Sequence, residues 1–168
     1  DKELLRYFVD HSAAAIDWLD ENGMTVDNLT ITGGMNQKRT HRPSDGSAIG
    51  SYLVKGLVNA VHKRNIPIFV DASVIALNEN EGKVNEVTFK INGLEPKTLI
   101  GKAVIVATGG FGASKELIGK FRPDLKDYIT TNQKGSIGDG IKMIENLGGQ
   151  TIDMDQIQIH PTVQQDKG

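Results

Sequence analysis

An α/β fold follows from three features of the sequence. Segments 2–21, 47–63 and 137–147 repeat apolar residues at helical spacing. Two extended runs meet at a short turn near 78–82, which reads as a β-hairpin. The run "AVIVAT" (103–108) is apolar on both faces, the mark of a central strand covered on two sides.

The first helix carries Leu5, Phe8, Val9, Ser12, Ile16 and Leu19 on one stripe, and Asn22-Gly23 supplies its stop. "LTITGG" (29–34) is a short strand into a glycine turn, and "MNQKRTHRPSDG" (35–46) reads as a long polar loop of the kind that usually serves function. Ile49, Leu53, Leu57, Ala60 and Val61 mark the second helix, with Ser44–Ser47 as its capping lead-in. "IPIFVDASVIAL" (66–77) is then a strand, "NENEG" its turn and "KVNEVTFKI" (83–91) the return strand. After 103–108 come a short helix near 113–120, an irregular stretch at 122–135 and a third long helix over 137–147. Ile137, Ile141, Ile144 and Leu147 form its core stripe, and Gly148-Gly149 ends it in left-handed geometry. Residues 150–163 finish as extended chain.

A chain of 168 residues holds one domain or a piece of something larger. Its start inside a helix, "DKELLRYF", reads as a cut from a longer protein. With 38% hydrophobic and 24% charged residues and a net charge of −2, the composition is that of a globular protein without an attraction for nucleic acid. No apolar run approaches the roughly 20 residues of a membrane span. Absence of cysteine excludes disulfides and thiolate chemistry.

Four constellations could carry chemistry. In "VIVATGGFG" a buried strand runs into two glycines, so Thr108, Gly109 and Gly110 either form a cofactor edge, where the backbone approaches a ligand closely, or make a tight turn. In "TTNQKGSIGDGIKMIENLGG", Ser136 or Asp139 either caps the following helix or, for Asp139 between two glycines, binds sugar hydroxyls. Calcium is disfavoured because the alternating oxygen ligands of an EF-hand loop are missing, and zinc spacing is missing too. Arg39, His41 and Arg42 are either an anion pocket or a solvated basic loop. Alternation in "IQIHPT" places Gln158 and His160 on one face, and Pro161 biases His160 to extended backbone, which orients the ring either for a structural hydrogen bond or towards a ligand.

Taken in order, "GGMNQKRTHRPSDGSAIG", "VIVATGGFG", "TTNQKGSIGDGIKMIENLGG" and "DMDQIQIHPT" resemble the flavoprotein family of fumarate reductases and succinate dehydrogenases. The likeness is greatest to soluble flavocytochrome c-type fumarate reductases and urocanate reductases. It implies a Rossmann-like FAD/NAD(P)-binding domain, present over 1–168 as an internal fragment with a central sheet, flanking helices and a β-hairpin insertion. It also implies FAD as cofactor and reduction of the C=C bond of a small unsaturated carboxylate such as fumarate or urocanate. Asp139, Gly109 and Gly110, with Thr108, would lie against the cofactor, Ser73 or Val74 would lend backbone to the adenine, and His160 would hydrogen-bond a substrate carboxylate. The amino-terminal GxGxxG unit, the capping domain and the acid that donates the proton do not occur in these residues, so the chain alone is expected to lack activity and to bind FAD weakly or not at all. An electron-donor domain or protein carrying haem, FMN or NADH is implied elsewhere, and the whole is expected to be a soluble, cytoplasmic or exported bacterial protein. A 3-ketosteroid dehydrogenase or aspartate oxidase of the same superfamily, or a non-catalytic binding module, are the alternatives.

Overall fold

The first helix, α1 (Lys2–Glu21), begins where the Asp1 carboxylate accepts hydrogen bonds from the Glu3 and Leu4 N–H groups, at 2.8 and 3.1 Å. That cap satisfies two of the donors a helix start leaves open. The computed structural model describes residues 1–160; the expectations for Pro161 and Thr162 lie outside the described residues. The chain forms two compact units, Asp1–Ile68 and Phe69–Gly168.

In the first unit α1 stops at Asn22. Gly23 has a left-handed φ of 79°, its N–H donates to the Asp20 carbonyl, and the Met24 N–H donates to the Leu19 carbonyl. This paired closure is a Schellman motif, and it turns Met24 inward, where only 1% of its surface stays exposed. Helix α2 (Ile49–Lys63) receives it at Gly56, because a Cβ there would overlap the Met24 thioether. The stripe expected on α1 is present but uncovered: Phe8 is 69% exposed, and no residue of the helix is buried. Two expectations are corrected. The long polar loop contains a strand, β2 (Thr40–Arg42), which pairs antiparallel with β1 (Asn28–Thr30) so that Leu29 faces His41. The lead-in to α2 does not cap it, since Ala48 occupies the N-cap and makes no side-chain hydrogen bond there; the Asp45 carboxylate instead accepts from the Ser47 N–H at 2.9 Å, which holds its pKa below the ordinary value.

In the second unit the hairpin is as the sequence predicts. Strand β3 (Ala72–Asn80) pairs antiparallel with β4 (Lys83–Ile91) around Glu81-Gly82, both left-handed, as the right-handed twist of two strands favours. Residues 66–71, expected as part of β3, lie outside it. A third strand, β5 (Lys97–Ile100), follows the left-handed Asn92-Gly93 pair and adds to β4, giving the order β3-β4-β5 with β3 at an edge. Helix α3 (Lys115–Phe121) is capped by Ser114, whose hydroxyl accepts from the Leu117 N–H, and a 3-10 turn at Pro123–Leu125 follows. Helix α4 (Asp139–Asn146) packs against β3. It closes with the Schellman pairing at Gly148 and Gly149, in the left-handed geometry expected for Gly148.

Three further expectations differ from the structure. Residues 103–108 form no strand among the described residues, and Ile105 is 91% exposed, because no described strand lies beside this segment to take up its backbone groups. Helix α4 starts at Asp139, and it buries Gly140 and Met143 while Ile137, Ile144 and Leu147 stay exposed. Its buried face is chosen by Val106 and Thr108, which press on Gly140, and hydrophobic spacing cannot reveal that contact. Residues 150–160 are not a strand: Asp153 takes a φ of 54°, and the Asp153 and Asp155 carbonyls accept from the Gln156 and Ile157 N–H groups.

Candidate functional site: a glycine edge and a small pocket

Helix α4 brings three of the expected cofactor residues into one place. Its N-cap is Gly138, with a left-handed φ of 83°, so neither Ser136 nor Asp139 caps the helix. A Cβ on Gly138 would press into Leu117 and Phe111, and the left-handed backbone there excludes the geometry in which a serine cap works. One residue further, Gly140 lies so close to Thr108 that a Cβ would overlap its hydroxyl and stand 2.8 Å from Val106 Cγ1. This close approach seats the end of the apolar run on the first turn of α4. Gly109, at a φ of 76°, faces Ser136, and the Ala113 N–H donates to the Ser136 carbonyl at 2.9 Å.

Thr108, Gly109 and Asp139 therefore meet at the start of α4. Gly110 continues the edge with nothing within 4 Å of where its Cβ would be. Asp139 is exposed, and its carboxylate has no partner among the described residues. Ser73 and Val74 sit in β3 opposite Lys90 and Phe89, next to a bulge between Val74 and Ala76, on the strand whose second edge has no neighbour among the described residues. An open backbone edge, two uncrowded glycines and an unpartnered carboxylate suit a dinucleotide, which needs close backbone approach and an acceptor for sugar hydroxyls.

His160 lies elsewhere, in a cavity of about 290 Å³. One wall is Ile118, Leu125, Tyr128 and Ile129; another is Ile157 to His160; Gly112, Thr130, Thr131 and Asn132 complete the lining. The Tyr128 N–H donates to the Leu125 carbonyl, which continues the turn after α3 into the pocket wall. Arg122 joins the walls. Its guanidinium grips Asp124 through two bonds of 2.9 and 2.7 Å and donates to the Asp155 carbonyl at 3.4 Å, just before Ile157. The same fork keeps the Asp124 carboxyl below its usual pKa and the Arg122 guanidinium above its own. Gln158 and His160 both line the cavity, but so do Ile157 and Ile159, so the alternation expected of a strand does not sort them.

The residues that sequence reasoning missed are Gly112, Tyr128, Thr130, Thr131 and Asn132. "TTN" stands in a motif singled out above, yet nothing in its spacing shows that it folds back onto Gly112. Of the two readings of Arg39, His41 and Arg42, the anion pocket does not assemble: His41 Nδ1 donates to the Val26 carbonyl at 2.9 Å, Arg42 stands in the ladder opposite Asn28, and no hydrogen bond links the three among the described residues.

The arrangement defines a class: an α/β chain with a glycine edge at 109–110 and a small pocket starting two residues beyond Gly110. Residues 1–167 match the model of the FAD binding domain family. The chain belongs to that family, whose cofactor is FAD, and its fold is the Rossmann-like FAD-binding type. It is 45% identical over 163 residues to an NADH:fumarate oxidoreductase of Klebsiella pneumoniae (strain 342), covering 97% of this chain and 18% of that protein. It is 35% identical over 164 residues to a fumarate reductase (cytochrome) of Shewanella frigidimarina, covering 97% of this chain and 29% of the relative. Among solved structures, the open conformation of a flavocytochrome c3 fumarate reductase superposes with a TM-score of 0.86 at 32% identity over 92% of this chain and 28% of that one. A 3-ketosteroid dehydrogenase from Rhodococcus jostii RHA1, at 21% identity and a TM-score of 0.81, shares the fold. The chain thus spans less than a third of the three fumarate reductase relatives and 39% of the dehydrogenase. No described helix is long and apolar enough to cross a membrane.

Proposed function

We propose that these residues are an internal part of a longer FAD-dependent oxidoreductase that reduces the C=C bond of a small unsaturated carboxylate such as fumarate or urocanate. The observation that carries the reading is the adjacency of two features: Gly109 and Gly110, which would form the cofactor edge, stand just before Gly112, which lines the pocket that holds His160. Thr108, Gly109, Gly110 and Asp139 would hold FAD, with the open edge of β3 at Ser73 and Val74 lending backbone to its adenine. When bound, FAD supplies the hydride.

The chain's own residues bind and orient the acid. His160 donates a hydrogen bond to a substrate carboxylate, which fixes the alkene and draws electron density from it. Ile118 and Leu125, in the wall that does not carry His160, would exclude water from the bound acid. No side chain of this wall is assigned as the proton donor; that acid belongs to the rest of the enzyme. The electron donor is likewise a separate domain or partner, and the relatives' names, one with NADH and one with cytochrome, are those of two different donors.

The reading makes a prediction about the chain alone. Without a GxGxxG unit for the pyrophosphate, the remaining contacts must overcome an association cost of about 4 kcal/mol or more. A flavin-fluorescence titration of the 168 residues is expected to show weak FAD binding or none, and the full-length protein stoichiometric flavin. Tight stoichiometric binding by the chain alone would show that the pyrophosphate contacts are dispensable and would contradict this division of the site.

A further inference from the structure

The pocket holds one polar side chain with a fixed setting and no role so far. The backbone N–H and the side-chain Nδ2 of Asn132 both donate to Thr130 Oγ1, each at 3.0 Å. The amide lies directly over Gly112: a Cβ on that residue would overlap Nδ2 and come within 2.8 Å of Cγ. Asn132, Thr130 and Gly112 all line the cavity that holds His160.

An asparagine amide has two N–H donors and one carbonyl acceptor. Thr130 takes one donor and so fixes which end of the amide faces it. The second N–H and the carbonyl oxygen have no partner among the described residues. A donor immobilised before the ligand arrives gives up little further freedom when it binds.

We propose that Asn132 is a substrate-binding residue that donates its second amide N–H to a carboxylate oxygen of the substrate, with Thr130 as the positioning residue that sets the amide and Gly112 leaving the room for it. The proposal rests on the reading of the His160 pocket as the carboxylate site. It also narrows the substrate class: a neutral amide accepts a carboxylate or a carbonyl, whereas an amine at this position would find a single carbonyl oxygen.

The test uses the full-length flavin-loaded enzyme and its unsaturated acid. Asn132→Ala is expected to raise KM about tenfold or more with the flavin content and spectrum unchanged. Asn132→Asp, which sets a negative charge against the carboxylate, is expected to raise KM further. Thr130→Val should move KM in the same direction, and Thr130→Ser, which keeps the hydroxyl, should restore it. A KM unchanged in Asn132→Ala overturns the proposal, as does a loss of FAD with KM unaltered in the loaded fraction, which would assign the amide to the cofactor. If Asn132→Ala does not fold, Thr130→Val decides: an unchanged KM there overturns the proposal. His160→Ala separates the two readings. If it impairs turnover and the Asn132 variants do not, only this inference fails; if it too has no effect, the carboxylate site itself is misplaced.

Discussion

Replacing His160 by alanine in the full-length enzyme is expected to lower kcat/KM for the unsaturated acid by roughly 10- to 150-fold, the loss that follows from removing one hydrogen bond to a charged group worth about 1.5–3 kcal/mol. The ring lines the pocket beside Ile118, Leu125, Tyr128 and Ile157, with Asn132 as the second donor proposed there. Flavin content should stay at the wild-type level, because His160 is placed at the pocket and the proposed cofactor edge is Thr108, Gly109 and Asp139. Steady-state kinetics with a parallel flavin spectrum reads both quantities. An unchanged kcat/KM would remove His160 from the substrate site.

The second large effect is expected at Gly140. Valine there must overlap Thr108 and crowd Val106, and overpacking of this kind costs about 1–3 kcal/mol. Because the same contact seats Thr108 and Gly109 beside Asp139, the penalty should appear both as a lower melting temperature and as weaker FAD retention, by roughly 5- to 150-fold if it falls on the bound state. Gly135→Ala is the control, since it stands in the connection before α4 with open space around it. Fluorescence titration of apoprotein with FAD measures the difference. Equal affinity and equal melting in the two variants would show that the close approach of α4 to Thr108 does not build the cofactor edge.

How far the sequence carried the reading depended on the range of the interactions involved. Helix α1 and the β3–β4 hairpin are written in local patterns: apolar spacing, an Asn-Gly stop and a glycine turn. The left-handed Gly148 is local too. By contrast, β2 consists of Thr40, His41 and Arg42, which have no strand signature; the strand exists because Asn28–Thr30 lies opposite. The buried face of α4 was misread because four aliphatic residues formed a tidy stripe, whereas Thr108 and Val106 decide the face through Gly140. The segment 103–108 has the composition of a central strand, but a strand needs neighbours, and none of the described residues provides them.

The candidate site divides in the same way. Gly109, Gly110 and Asp139 could be singled out as candidates because glycines and an acid next to predicted element ends limit what the backbone can do. The pocket around His160 was not, because its walls come from 112, 118–132 and 157–160, and the Arg122 link from Asp124 to Asp155 has no trace in local spacing. The resemblance to the fumarate reductase flavoproteins named His160 where local alternation left it open. The structure adds the groups around it, Asn132 and Thr130 above all.

The measurement that bears most directly on the account is the anaerobic oxidation of the full-length protein's reduced flavin by small unsaturated acids. With the flavin reduced in advance, addition of fumarate, urocanate or acrylate is followed by the return of the oxidised flavin absorbance and by product analysis. One of these acids is expected to reoxidise the flavin and to appear as its saturated product in equal amount, with the rate depressed in His160→Ala. A protein that carries no flavin, or a reduced flavin that none of the acids reoxidises, would contradict it.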